Sequence, residues 1–404
     1  MNDVYRPYYL TDNPFPADPS LNLSHLDRRV NGTIFNEHIF EEELKELDKR
    51  LGRHTNLIYC QNMAEFIRGV GKSAIIAHTW RKYKAKGGNI TSIYIRCQKR
   101  HMPTTLATQV IRKWHDEGCF WKTLTRCVSG YAQVTPSSEI GAEGARLLTE
   151  QQWPVGRVDL RSFLCYNPSR LVNSLTDWAC NERKALSPDI AAAFFGSYLS
   201  SPRDFFSAYP KVLRQLKGDE IEMLRNALHL MELGGFEYHY LFFDQFEDQI
   251  YGLSGRDLIL FSTEMRRLLE AGAGRVSIIV TLHSGAVQTL APPEAHEFAA
   301  LAPLDGRHSV DVKPLEPAAA ETLAITYLQE FRSGTPPDPL YPLTAEAVSH
   351  IHEVAEGNIR GILTGFSLCI EEGIDADYPL ITLEFLREKH EEITGKISPE
   401  RINL

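Results

Sequence analysis

Five short, largely apolar runs stand out along the chain, at residues 56–60, 91–95, 238–243, 276–282 and 309–312. They are rich in β-branched and aromatic residues with little polar alternation, the pattern of strands covered on both faces, as in a parallel sheet. Between them, apolar positions recur every three or four residues at 73–85, 104–116 and 254–271, which predicts helices with one buried stripe. Strands and helices alternating in this way predict an α/β fold around a parallel sheet. A further helix is expected at 35–51, where Asn36 offers a cap, acids fill the first turn, and Phe40, Leu44, Leu47 and Leu51 share a face. Gly52 ends that run.

The ends of the chain read differently. Residues 1–36 carry the turn signals Asp12-Asn13-Pro14-Phe15-Pro16 and Asp18-Pro19-Ser20 without a sustained period, so a packed arm is expected. From 314 to 404 no strand pattern occurs, and helical stretches at 317–332, 344–355, 359–372 and 382–393 predict a helical subdomain. Roughly 140 residues separate the second strand from the third, far more than a single crossover needs. An insertion is therefore expected at about 118–233 within a sheet domain spanning 37–313. Its early part, 130–156, is rich in Gly, Ser, Pro and Glu, whereas 171–233 is helical in pattern.

Composition narrows the class. Of 404 residues, 43% are hydrophobic and 24% charged, which excludes disordered, collagen-like and coiled-coil chains. No apolar run approaches the ~18 residues of a membrane-spanning helix, and the N-terminus lacks a basic-then-apolar leader. No membrane association and a cytoplasmic location are the expectation. The seven cysteines, at 60, 97, 119, 127, 165, 180 and 369, form no Cys-x-x-Cys pair, so buried free thiols are expected rather than disulfides or a zinc site. Neither a His-Glu-x-x-His zinc motif nor a Gly-x-Ser-x-Gly elbow occurs. A formal charge of −9 argues against a surface built to coat nucleic acid. The one dense basic cluster, Arg81-Lys82-Tyr83-Lys84-Ala85-Lys86, falls at a helix end, where cations complement the dipole without any partner.

The strongest chemical signal is Phe66-Ile67-Arg68-Gly69-Val70-Gly71-Lys72-Ser73. In a G-x-x-x-x-G-K-[ST] loop, consecutive backbone N–H groups curl around phosphates, the Lys neutralises them and the hydroxyl ligates Mg²⁺. Gly71, Lys72 and Ser73 fit, while Phe66 stands where the first Gly belongs. The context is right: an apolar strand at 57–60 precedes, and a helix starts at Ala74. Because eight residues separate Cys60 from Gly69, either the strand lies instead at 63–67 or the loop is longer than usual. A second signal is the apolar strand ending in Asp244-Gln245-Phe246-Glu247-Asp248. A carboxylate at a strand's C-terminal end lies where α/β sheets bind ligands and can hold Mg²⁺ through water.

With these residues in view, the sequence resembles the AAA+ ATPases, in particular the branch of origin-recognition initiators, transposition regulators and STAND-like ATPases. The resemblance rests on the loop Arg68-Gly69-Val70-Gly71-Lys72-Ser73, the Phe242-Phe243-Asp244-Gln245 strand end, Ile279-Val280-Thr281-Leu282-His283 as a sensor strand, and Gly357-Asn358-Ile359-Arg360 in a helical lid. It covers 13–393 without the insertion. It implies a P-loop NTPase core with a C-terminal helical lid, ATP and Mg²⁺ as ligands, and Arg68, Gly69, Val70, Gly71, Lys72, Ser73 and Ala74 around the phosphates. Ser73 and Asp244 would hold the metal, Thr281 or His283 would position water, and Arg360 would reach the γ-phosphate. Arg307 would serve a neighbouring subunit as a trans-acting finger in a homo-oligomer.

Two departures qualify the implied activity. The residue after Asp244 is Gln245, and an amide cannot accept a proton, so turnover is expected to be slow unless Glu247 substitutes. No winged-helix DNA reader follows the lid in this sequence, so DNA is a partner by analogy alone. The expected function is ATP binding, with probable hydrolysis, that controls oligomerisation and a protein partner in DNA-linked mobile-element or defence processes. A non-hydrolysing nucleotide-dependent scaffold is the alternative.

Overall fold

The computed structural model describes residues 3–62, 69–97, 105–135, 168–200, 219–250, 253, 255–282 and 308–397. All five expected strands form: β1 Leu57–Gln61, β2 Ile90–Arg96, β3 Tyr238–Asp244, β4 Val276–Thr281 and β5 Ser309–Asp311. They make one parallel sheet in the order β2-β3-β4-β1-β5. The connection leaving β1 runs toward β2, whereas that leaving β4 crosses β1 to reach β5. The carboxyl ends of β1 and β4 therefore open at a switch point, the place where such sheets bind ligands.

Alternation along each strand explains why the runs look continuously apolar. Leu57, Tyr59, Ile93, Ile95, Leu241, Phe243, Ile278 and Val280 enter one core, while Ile58, Cys60, Tyr94, Tyr240, Phe242 and Ile279 enter the other. Both faces are covered, so neither parity of positions needs to be polar. A polar residue inside β3, His239, is kept neutral: burial pushes its imidazole down to about 3, and Nδ1 lies 2.8 Å from the Thr91 hydroxyl.

Helices α1 (Glu41–Gly52) and α2 (Lys72–Lys86) lie on the second face. The first face carries α3 (Leu106–Asp116), α4 (Cys119–Val134), α5 (Pro168–Glu182), α6 (Pro188–Ser200), α7 (Glu220–Leu233) and α8 (Gly255–Ala271). Of these, α4 to α7 are the described part of the insertion, and residues 136–167 and 201–218 lie outside the described residues. Trp114, Phe120, Phe194 and Phe195 are fully buried among them, so the insertion extends the sheet's own core.

After β5 come α9 (Pro317–Glu330), α10 (Ala345–Val354), α11 (Ile359–Asp375) and α12 (Leu383–Glu388), which share the second core with the N-terminal arm. Thr105, Thr344, Asn358 and Thr382 cap α3, α10, α11 and α12 through their side-chain oxygens. The arm is tied down along its length. Thr11 N donates to Phe331 O (2.9 Å), and Asn13 Nδ2 donates to Ser367 O (3.1 Å) and Glu371 Oε1 (2.7 Å).

The basic cluster at the end of α2 is engaged internally. Arg81 donates to the carbonyls of Asn31 and Gly32, Lys82 pairs with Asp48, Lys84 pairs with Glu117, and Lys86 lies over the Tyr83 ring. Among the described residues the cysteines are free thiols, and no helix is long and apolar enough to cross a membrane. Cys165 lies outside the described residues.

Phe15 anchors the arm, stacked on Tyr327 at 5.9 Å and tilted against Phe366 at 5.1 Å between ring centroids. Replacing so buried a ring by Ala costs about 3–5 kcal/mol. Phe15→Ala is expected to expose the arm to cleavage in limited proteolysis, well before the sheet domain is attacked. An arm as protected as in the parent would contradict this packing.

Candidate functional site

The turn between β1 and α2 requires glycine twice. Gly69 and Gly71 adopt φ of 87° and 99°, a region that side chains with a Cβ avoid. Space forbids a side chain as well: a Cβ on Gly71 would lie 2.9 Å from Phe40 Cζ and 3.1 Å from Ile359 Cδ1, and one on Gly69 would meet Asn358 Oδ1. The strand before the loop is thus Leu57–Gln61, and Phe66, Arg68 and the alternative strand at 63–67 lie outside the described residues. Gly71 caps α2, so the N–H groups of Lys72, Ser73 and Ala74 open the helix without intrahelical acceptors. With the positive dipole end behind them, they present a surface that favours negative charge.

The ends of β3 and β4 face this helix start. Asp244 is 1% exposed, and three hydroxyls bond its carboxylate. Ser73 Oγ and Thr281 Oγ1 each donate to Oδ1 at 2.8 Å, and Tyr94 OH donates to Oδ2 at 2.6 Å. Thr281 also accepts a bond from Gln245 N at 2.8 Å. Gln245 turns the chain with φ 54°, and its Oε1 accepts from Arg96 Nε at 3.0 Å. Glu247 follows in the 3-10 turn Phe246–Gln249.

Charge in the site is poised rather than relaxed. Burial pushes the Lys72 ammonium below its ordinary range, while Glu247 and Asp244 pull it back up. Burial likewise raises the Glu247 carboxyl, reinforced by Asp244 and Asp248, and the nearby Lys72 opposes this. Glu247 Oε2 is buried with no hydrogen-bond partner among the described residues.

These groups line one end of a cavity of ≈ 440 Å³. Gly69 to Ala74, Gln245, Glu247, Asp248, Thr281 and Arg360 form its polar end. Phe35, Ile39, Phe40, Leu323, Tyr327 and Leu363 form an apolar end, where Phe35 is stacked between Phe40 (5.3 Å) and His78 (4.4 Å). Arg360 reaches the loop from α11, its backbone N donating to Gly69 O at 3.2 Å. The structure therefore brings together Gly69, Val70, Gly71, Lys72, Ser73, Ala74, Asp244, Gln245, Glu247, Thr281 and Arg360. His283 and Arg307 lie outside the described residues. Sequence reasoning missed Tyr94, read Phe40 only as part of a helix stripe, and named Asn358 only as part of the lid motif. The only available signal for Tyr94 was a hydroxyl on the strand paired with β3.

Neither a family model nor a curated protein matches the sequence. Among solved structures, the crystal structure of Cdc6p from Pyrobaculum aerophilum is similar, with a TM-score of 0.42 and 14% identity over 95% of this chain and 72% of that one.

A carboxyl whose pKa rises on folding opposes the fold once the pH exceeds the value of the unfolded group, about 4.3. Glu247→Gln is therefore expected to raise the melting temperature of the ligand-free protein by a few degrees at neutral pH. The gain should shrink to nothing as the pH falls below about 4, where the carboxyl is protonated in both states. Thermal melts across that range check it, and a gain independent of pH would count against the buried carboxyl.

Proposed function

We propose that this chain is an ATPase of the AAA+ type that binds ATP with Mg²⁺ and hydrolyses it slowly. The observation that carries this reading is the cavity joining Lys72 and the Ser73–Asp244 pair at one end to the apolar wall of Phe35, Ile39 and Tyr327 at the other. A polyphosphate suits the first end, because unpaired helix N–H groups and a desolvated ammonium both favour anions. A flat heterocycle suits the second, where aromatic and aliphatic side chains exclude water.

The residues present also fit a divalent cation. Ser73 Oγ and Asp244 Oδ1 meet at 2.8 Å beside the loop, and a hydroxyl plus a carboxylate are the hard oxygen donors that Mg²⁺ uses together with phosphates and water. When bound, the ion would neutralise charge on the phosphates. Glu247 is our assignment for the base that takes the proton from water, since burial raises its carboxyl toward the range where general bases work best. Arg360 adds positive charge from the helical region, and Thr281 orders Asp244 and Gln245. His283 and Arg307 keep the roles implied by the resemblance, water positioning and a trans-acting finger. Assembly into homo-oligomers and a protein or DNA partner extend the same reading by analogy.

A second reading, a nucleotide-dependent scaffold without turnover, draws on one observation. The Gln245 amide, at the position where the resemblance expects a glutamate, already accepts a bond from Arg96. Separate measurements of ATP binding and phosphate release distinguish the two readings.

Lys72→Ala is expected to weaken ATP binding by about a hundredfold, the worth of one or two charge-assisted bonds at 1.5–3 kcal/mol each. Binding as tight as the parent's, measured by titration with a fluorescent ATP analogue, would remove the phosphate-loop assignment. Glu247→Gln should keep ATP binding and lower turnover by about 10²-fold or more. Undiminished phosphate release from that variant would move the base elsewhere.

A further inference from the structure

The carboxylate of Asp244 has about four lone-pair positions. Ser73 and Thr281 occupy two of them, and both are on Oδ1. Those two bonds tie Oδ1 to the start of α2 and the end of β4. The bond from Tyr94 OH falls on Oδ2 at 2.6 Å, within the range of a charge-assisted O–H···O⁻ bond. It ties the second oxygen to β2, so that both oxygens of the carboxylate are held.

The sheet explains how this residue reaches that atom. In the parallel register Tyr94 lies opposite Phe242, and Asp244 lies opposite Arg96. Tyr94, Phe242 and Asp244 thus share one face of the sheet, with Asp244 one pleat repeat, about 7 Å, further along. A hydroxyl on a short side chain would stop short of it, and a phenol spans the gap. The ring itself is braced: Trp80 packs against it at 5.6 Å between centroids, and Trp80 Nε1 donates to Ser92 O at 3.2 Å. Tyr94 is 7% exposed, and burial together with Asp244 pushes its hydroxyl well above the ordinary tyrosine range, so it stays a donor.

The geometry assigns Tyr94 as the positioning residue that orients Asp244 so that its remaining lone pair, on Oδ2, is presented to the hydration shell of a divalent cation beside Ser73. This rests on the nucleotide–Mg²⁺ reading given above. Tyr94 touches neither nucleotide nor metal in this arrangement. It acts through Asp244, so its loss should tell on the metal and spare nucleotide affinity in the metal's absence.

Tyr94→Phe removes the hydroxyl and keeps the ring. Binding of a fluorescent ATP analogue to the full chain is titrated in EDTA, and then at fixed nucleotide against rising Mg²⁺. Loss of a group that orients a metal ligand commonly costs ten- to a hundredfold in metal affinity. The expected result is an Mg²⁺ midpoint at least about tenfold higher, with affinity in EDTA within about twofold of the parent. An unchanged Mg²⁺ midpoint overturns the assignment, and so does an equal loss of affinity with and without Mg²⁺, which would mark a structural role. Trp80→Phe retains the phenol but loosens its brace, and a smaller rise in the Mg²⁺ midpoint is expected of it. If Tyr94→Phe fails to fold, an unchanged midpoint in Trp80→Phe overturns the assignment alone. A parent protein that binds no ATP analogue at any Mg²⁺ concentration overturns the nucleotide reading itself, and this assignment with it.

Discussion

A carboxylate removed from water at the end of a parallel sheet is the constraint on which the site depends. Burying an unpaired charge costs several kcal/mol, so Asp244 can sit at 1% exposure only if hydroxyls surround it. They come from three elements: Ser73 in the first turn of α2, Tyr94 in β2 and Thr281 at the end of β4. Satisfying one charge thus fixes where the helix start stands relative to three adjacent strands. The N–H groups of Lys72, Ser73 and Ala74 at that helix start are thereby placed beside the strand ends. The surface that favours negative charge follows from the buried carboxylate as much as from the loop's own glycines.

Much of this was legible in the sequence because the signals were local. The strands read as strands since parallel pairing covers both faces, and a continuous run such as Tyr240 to Phe243 has no other economical home. The helices read from their apolar period, while caps such as Thr105 and Thr344 emerged only in the fold. Gly71-Lys72-Ser73 and Asp244 carried their chemistry openly. Tyr94 did not, because its partner is 150 residues away and the bond exists only once β2 and β3 take their register. The contacts of Phe40 and Asn358 with the loop were hidden for the same reason, since each denies volume to a side chain at Gly71 or Gly69 only once the chain is folded. The basic cluster on α2 is a mixed case. Its charges read from sequence as complements of a helix end that need no outside partner, and the folded chain engages them through Asp48, Glu117 and the carbonyls of residues 31 and 32, which sequence does not show.

The arm and the helical region gain their meaning from the same cavity. Phe35 and Phe40 reach it from the segment leading into α1, and Tyr327, Ile359 and Arg360 reach it from the far end of the chain. Neither end could form this wall alone. The arm's bonds to Phe331, Ser367 and Glu371 hold the two ends together, so the apolar half of the cavity is a product of packing between distant segments. The polar half is a product of sheet register. A ligand spanning both halves therefore contacts the sheet, the arm and the helical region at once.

Charge balance carries the argument one step further. Glu247 and Asp248 line the cavity with Arg29, Lys72 and Arg360, Asp244 is buried beside Ser73, and burial pushes the Lys72 ammonium down and the Glu247 carboxyl up. A triphosphate would add several negative charges close to these three carboxylates. Helix N–H groups offset only about half a unit charge. Under the proposed reading, then, a divalent cation between ATP and these carboxylates would relieve their repulsion and tighten nucleotide binding. Ser73 and Asp244, the one hydroxyl–carboxylate pair at the loop, are the groups placed to receive it. The same acids that oppose phosphate on their own are what would make its binding tighter with the metal.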